Sequence, residues 1–309
     1  MSTRITNTMI QRSVLADLND VSQAQAATRR KMSSGKEISR PSDDPYVASR
    51  SIAIRTDLGG IRQYGRNVGE ALGWQSVTDT ALSQIGDMTQ RARELTLQGA
   101  TDTIPQTSRN AIADEIDQLI AGIKQEANAT YDGRYVLGGS ATNVRPYDST
   151  MTPTVAPGPW NDGYAGDAVV QQREIGPNVQ IGVNVHGNEI LGGQPGNTGN
   201  LLKVLRDAAL HLRTGDTSAL GTTDLKAIQG EIDNVLSVRA RVGAGMNRLE
   251  SAASRLTETE ESAIKLLSET EDADMAKTLI DFSTQQAVYQ SALNAGARVV
   301  QSSLLDFLR

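Results

Sequence analysis

Apolar residues recur at every seventh position near both ends of this chain, and the stretch between those ends does not keep the rule. Steps of seven from Val235 reach Val242, Leu249, Leu256 and Ala263; steps of seven from Leu279 reach Gln286, Leu293, Val300 and Phe307. Near the other end, Val47, Ile54, Ile61 and Val68 repeat the pattern. A repeat of this length puts one stripe of side chains on one face of an α-helix, which can be buried only against another helix. The spacing predicts N- and C-terminal arms that pack on each other, with the middle looped out between them. That is the plan of a rod-forming subunit rather than a compact enzyme.

Composition points the same way. The 309 residues allow one large domain or two to three ordinary ones. Aromatic residues make up only 4% and hydrophobic residues 38%. Thick globular cores lean on aromatic side chains, whereas helical seams are built well from Leu, Val, Ile and Ala. A net charge of −6 argues against a nucleic-acid partner, which would call for a basic face. Without any cysteine, the chain has no disulfide, thiolate metal site or Cys nucleophile. No segment approaches the roughly 18 to 20 apolar residues of a membrane span. The first twenty residues hold no apolar stretch of the secretory type, so export of this chain would need a specialised machine.

Along the chain, Leu15, Leu18, Val21, Gln25 and Met32 recur at helical spacing from about Thr6 to Met32, ending at Ser34-Gly35. Pro41 and Pro45 then break the helix, and Ser42, Asp43 or Asp44 can cap the next one. A second run extends from about Tyr46 to Gly99. A third, through Ile112, Ile116, Leu119 and Ile123, folds back on it. From Asp132 the character changes: Gly133 to Gly199 holds 13 of the 28 glycines and 6 of the 9 prolines. Its apolar residues come in short extended pieces, RYVLGG, DAVVQQREI and VQIGVNVHGNEIL. In the last, Val179, Ile181, Val183 and Val185 alternate onto one face. Asp162-Gly163 and His186-Gly187-Asn188 are expected turns. Helical spacing returns at Leu201, pauses at RTGDTSALG, and resumes from about Thr223 almost to the end as one long helix or two stacked ones.

Catalytic signals are poor. His186 and His211 are the only histidines, and no paired-histidine zinc pattern occurs. Ser34-Gly35-Lys36 is not a phosphate loop, because Arg30 stands where its first glycine belongs and Glu37 follows the lysine. Asp43 and Asp44, at a helix start, suit capping better than acid–base work. Asn128-Ala129-Thr130 matches a glycosylation acceptor, a triplet common by chance. Trp74 and Trp160 read as packing residues. The chain is therefore not expected to be an enzyme or to hold a catalytic residue, cofactor or metal. Small residues dominate the last run, and the ending SSLLDFLR is apolar for a terminus. Such an end is better buried by neighbours in an assembly.

The segment SSGKEISRPSDDPYVAS, Ser33 to Ser49, resembles the one that follows the first helix in bacterial flagellin-like proteins. Its Gly-Lys and Pro-Ser-Asp-Asp-Pro are closer to the hook–filament junction branch, the third hook-associated proteins, than to flagellins. Asp132 to Gly139, DGRYVLGG, resembles that branch's entrance to its β-region. Glu271 to Ala276, EDADMA, resembles the acidic element that precedes the final helix in both branches. The end through Ser303-Leu304-Leu305-Asp306-Phe307-Leu308 again looks like the junction type. The resemblance covers both arms, about two thirds of the chain.

The combined expectation is a mainly α fold with a small β-rich insertion, its long antiparallel terminal helices forming a coiled-coil-like bundle. A terminal assembly domain is drawn at 1–45 and 268–309, a helical rod at 46–131 and 200–267, and a β-rich domain at 132–199. The expected assembly interface is Leu293, Val300, Leu304, Leu305 and Phe307, with Leu15, Leu18 and Val21 opposite. The resemblance implies export through the flagellar type III apparatus and a chaperone at the C-terminal helix. It also implies a ring of copies joining the first hook-associated protein to flagellin. A flagellin, a surface enzyme with a β-rich insert and a cytosolic coiled-coil scaffold are the alternatives.

Overall fold

The computed structural model describes residues 7–148, 162–193 and 200–307, with side chains described at Met9 and over 12–148, 162–193 and 200–297. Trp160 lies outside the described residues. Two compact units emerge, residues 1–60 with 259–309, and residues 61–258.

Helix α1 spans Asn7–Ser34 and stops at Gly35, whose φ of +70° lies in the left-handed region that favours glycine. Helix α2 spans Pro45–Gly99, its proline in the first turn, where a missing N–H costs nothing. Helix α3, Gln106–Ala127, begins directly after Pro105. The final helical stretch is two helices: α6, Leu225–Glu271, and α7, Met275–Phe307. Asp274 supplies the break between them. Its Oδ1 accepts the N–H groups of Ala276 and Lys277 at 3.0 and 3.1 Å and so starts α7.

The 61–258 unit holds the thick core. Leu82, Ile85 and Leu95 of α2, Ile116, Ile120 and Ile123 of α3, and Ile228, Val235 and Val242 of α6 enclose one another. Leu201, Leu205 and Leu212 of α4, Leu201–Thr214, complete the cluster. The stripe expected from Val235 is real here: Val235, Val242 and Leu249 are all buried. After α4 the chain turns through the short α5, Thr217–Ala219, and a wide helical turn over Leu220–Asp224 before α6.

The β-strands among the described residues form two small antiparallel pairs, with isolated bridges at Lys36–Asp272 and Gly138–His186. Strands β1, Thr130–Tyr131, and β2, Arg134–Tyr135, join through Asp132 and Gly133, both at positive φ, as a tight two-residue hairpin requires. Strands β3, Gln172–Gly176, and β4, Val179–Gly182, form the other. The regular strand expected through Val185 stops at Gly182, with Val183 N still donating to Gln171 O at 3.0 Å. Ile181 and Val183 are buried while Val179 is exposed, and His186-Gly187-Asn188 lies at a single helical turn. Among the described residues Asp162 and Gly163 belong to no strand or turn. Asp162 is instead an ion-pair hub, receiving Lys124 and Arg206, the latter at 2.8 Å. Burial alone would raise the Asp162 pKa; hydrogen bonds from Arg206 and Lys124 outweigh it and hold the carboxyl below its usual range. Val136, Leu137, Tyr147, Tyr164, Ile190 and Leu191 belong to the same core as the helices, so the glycine-rich stretch and the rod share one interior. Tyr147 anchors that stretch by donating its hydroxyl to Gly192 O at 2.7 Å.

Candidate assembly interface

In the terminal unit α1 and α7 form an antiparallel pair. Ala273 N donates to Gly35 O at 2.9 Å, so the end of α1 meets the start of α7. Farther along, a Cβ on Gly296 would lie 3.0 Å from Val14 Cγ1 and 3.9 Å from Leu18 Cδ1. On α1 the inward stripe is Val14, Leu18, Val21, Gln25, Thr28 and Met32, buried or half-buried. On α7 it is Thr278, Phe282, Gln285, Tyr289, Ala292 and Gly296. Both sets alternate spacings of four and three, the signature of a coiled-coil seam. The seam is mixed with polar and small residues, and the buried Gln285 Oε1 has no hydrogen-bond partner.

Among the residues expected to carry assembly, Leu18 and Val21 stand in this seam. Leu15 does not: it is 66% exposed, one position out of step with Val14. The stripe drawn from Leu279 through Gln286 and Leu293 is also not the inward one, since Leu279 is 57% and Leu293 44% exposed. The reading by leucines chose a face beside the seam, because the seam of α7 is built from an aromatic pair and small residues that let α1 approach. Val300, Leu304, Leu305 and Phe307 continue α7, and their side chains lie outside the described ones. Beside the seam, α7 leaves apolar side chains open on more than one face: Met275, Leu279 and Leu293 on one flank, and Ile280 and Val288 on others.

A charged clasp ties the loop after α1 to the junction between α6 and α7. Glu271, almost enclosed, accepts from Arg55 Nη2 at 2.7 and 2.6 Å, Lys36 Nζ at 2.8 Å and Ser51 Oγ at 2.9 Å. Burial would push its pKa up; these hydrogen bonds overcome that and bring it down to about 2. Glu37 N donates to Glu271 O at 2.8 Å, so backbone and side chain hold the same loop. Among the three cap candidates, Asp44 is the one that caps, its Oδ1 accepting Tyr46 N and Val47 N at 3.0 and 3.1 Å. Asp43 closes the loop instead, its Oδ2 accepting from Arg40 N at 3.0 Å and Ser39 N at 3.3 Å. Ser42 is exposed and makes no capping bond. The clasp was missed in the sequence because Lys36 and Glu271 are 235 positions apart.

The remaining candidates take structural places. His211 Nδ1 lies 2.7 Å from Asp224 Oδ2, pinning the turn after α4. Asn128 is engaged at both ends of its amide, donating to Tyr147 O at 2.9 Å and accepting from Tyr147 N at 3.0 Å, so it packs rather than presenting an acceptor amide. Trp74 is buried against Tyr131, edge-on, at 6.2 Å between ring centres. Among the described residues no helix is long and apolar enough to cross a membrane.

Residues 5–142 match the bacterial flagellin N-terminal helical region, and residues 225–308 the flagellin C-terminal helical region. Similar curated proteins include the flagellar filament 31.3 kDa core protein of Treponema maltophilum, 29% identical over 93% of each chain. Flagellar hook-associated protein 3 of Escherichia coli is 25% identical over 85% of this chain and 86% of its own. The flagellin of Bacillus subtilis is 29% identical over 96% and 97%. Among solved structures, hook associated protein-3 of Legionella pneumophila superposes with a TM-score of 0.60 at 14% identity, covering 70% of this chain and 98% of its own. Bacillus cereus FlgL does so at 0.57 and 23%, covering 70% and 99%; these likenesses show the fold. With both helical regions matched over more than half its length, the chain belongs to the bacterial flagellin family, whose members are structural and non-enzymatic.

Proposed function

We propose that this protein is the adaptor subunit of the flagellar hook–filament junction. Copies of it form a ring that joins the first hook-associated protein to flagellin. The observation that carries the assembly role is the set of exposed apolar side chains around α7, Met275, Leu279 and Leu293 on one flank of the α1–α7 seam and Ile280 and Val288 on other faces. Neighbouring copies bury these side chains, together with Leu15 on α1 and Val300, Leu304, Leu305 and Phe307 farther along α7. Each fully buried Leu, Val or Phe contributes roughly 1.5 to 3 kcal/mol, less the cost of ordering the arms on assembly. The junction role in particular is supported by the Pro-Ser-Asp-Asp-Pro loop and by hook-associated relatives that align over most of the chain. Export runs through the flagellar type III apparatus, with a chaperone covering the C-terminal helix beforehand.

The direct test is a clean deletion, scored by motility and by the fate of flagellin. Intact hooks with flagellin lost to the medium are expected; full-length filaments and normal motility would refute the junction role. Leu304→Asp combined with Phe307→Asp is expected to leave the 61–258 unit folded and abolish incorporation. A second reading, a filament subunit, is favoured by the flagellin and filament-core relatives at 29% identity. Growth of long filaments from seeds by the pure protein would establish it.

A further inference from the structure

Within the 61–258 unit, a cleft of about 390 Å³ lies between the segment that begins in β4 and the middle of α6. Residues 181–186 line it without interruption. Successive residues of an extended chain point to opposite faces, so an unbroken run meets the cleft with its edge. Among the described residues β4 pairs only with β3. Beyond it Val183 N donates to Gln171 O at 3.0 Å, His186 bridges Gly138 and Gly187 N donates to Leu137 O at 2.9 Å. All of these lie on the β3 side, which leaves the other edge of residues 181–186 without a strand. Two buried polar atoms at the same cleft have no hydrogen-bond partner, Gln75 Oε1 and His186 Nδ1. Gln75 is only 5% exposed, so its unmet acceptor is not a surface accident. Gly245 makes room for it: a Cβ there would stand 2.9 Å from Gln75 Nε2 and 3.0 Å from Oε1. At the mouth Arg241 pairs with Glu189, whereas Arg248 is exposed and has no ion pair or hydrogen bond among the described residues.

We propose that this cleft binds an extended acidic peptide, laid as an added strand along the edge of residues 181–186. A peptide backbone offers N–H and C=O groups in turn, which is what an unpaired edge needs. Gln75 Oε1 and His186 Nδ1 are shut off from solvent by the protein, so the guest pairs with the backbone edge and not with them. Val170, Val185 and Val242 take the apolar side chains of the guest. Arg248 takes a carboxylate, which sets the preference for an acidic sequence.

The test is hydrogen exchange on the full chain with acetylated and amidated Val-Glu-Val-Glu-Val as probe. Exchange at 181–186 is expected to slow by about fivefold or more at millimolar peptide, while the cores of α3 and α4 keep their rates. Arg248→Glu, an exposed substitution, is expected to abolish the slowing; so is the same peptide N-methylated at alternate residues. Val-Lys-Val-Lys-Val is expected to have less than a third of the effect. Equal protection by the N-methylated or basic peptide, or none at millimolar acidic peptide, would overturn the proposal. Protection by free glutamate alone would also overturn it, marking a small-anion site in its place.

Discussion

The two units use the same kind of helix and differ in how many neighbours each helix has. In residues 61–258, α2, α3, α4 and α6 surround one another, and Leu82, Ile85, Ile116 and Ile120 lose all contact with solvent. In the terminal unit, α1 has α7 as its partner, and of its six inward positions only Thr28 is buried. A two-helix seam has open flanks, so even correctly spaced side chains stay half wet. The seam is further diluted by Gln25, Thr28, Thr278 and Gln285. The lesson is that heptad spacing sets which face turns inward, while enclosure depends on a third and fourth helix. One unit encloses its core; in the other the α1–α7 seam stays half-buried.

The largest effect is expected where enclosure is complete. Ile116→Ala should cost about 2–5 kcal/mol, because the cavity it leaves cannot collapse. Denaturant unfolding followed by fluorescence in a Trp160→Phe background, where Trp74 is the remaining tryptophan, reads this directly, and a loss under about 1 kcal/mol would mean the core is looser than described. Next comes the clasp. Glu271→Gln should destabilise the terminal unit by about 1–2 kcal/mol, discounted because Arg55 and Lys36 are partly solvated. The sign with pH follows from the lowered pKa. The stabilisation is fully present above the ordinary 4.5 and fades as pH falls toward about 2. Acid titration of terminal-unit helicity should therefore flatten in Glu271→Gln; an unchanged acid transition would remove the clasp from the account.

Gln285→Leu sharpens the comparison in the opposite direction. Replacing an unpartnered seam amide with an apolar side chain should stabilise the α1–α7 pair by about 1 kcal/mol. Thermal melting of the terminal unit checks it, and a fall in midpoint would mean that Gln285 is better satisfied than its surroundings indicate. The smallest contrast separates the caps. Asp44→Ala should cost about 1 kcal/mol, while Ser42→Ala should stay within about 0.5 kcal/mol. Equal losses would mean that the loop, rather than the cap, sets the start of α2.

Much of this fold was legible in the sequence, and the failures share a cause. The end of α1 and the start of α2 follow from Gly35 and Pro45, which act locally. The Val235 and Val47 repeats were readable because their large aliphatic residues coincide with the enclosed face. On α7 apolar residues occur on several faces, so leucine spacing led to Leu279 and Leu293 while the seam runs through Phe282, Tyr289, Ala292 and Gly296. The break before α7 showed only through the resemblance of EDADMA, since no proline or glycine marks it. The Glu271 clasp and the Asp162 hub were invisible, because Lys36 reaches Glu271 and Arg206 reaches Asp162 only after the chain has folded.

The most direct test of the contrast is residue-resolved hydrogen exchange on the isolated chain before any assembly. Amides in the middles of α1 and α7 should exchange at least about a hundredfold faster than those of α3, with protection spreading into the arms once subunits assemble. Equal protection in α1, α7 and α3 before assembly would contradict the account, because the terminal seam would then be stable without neighbours.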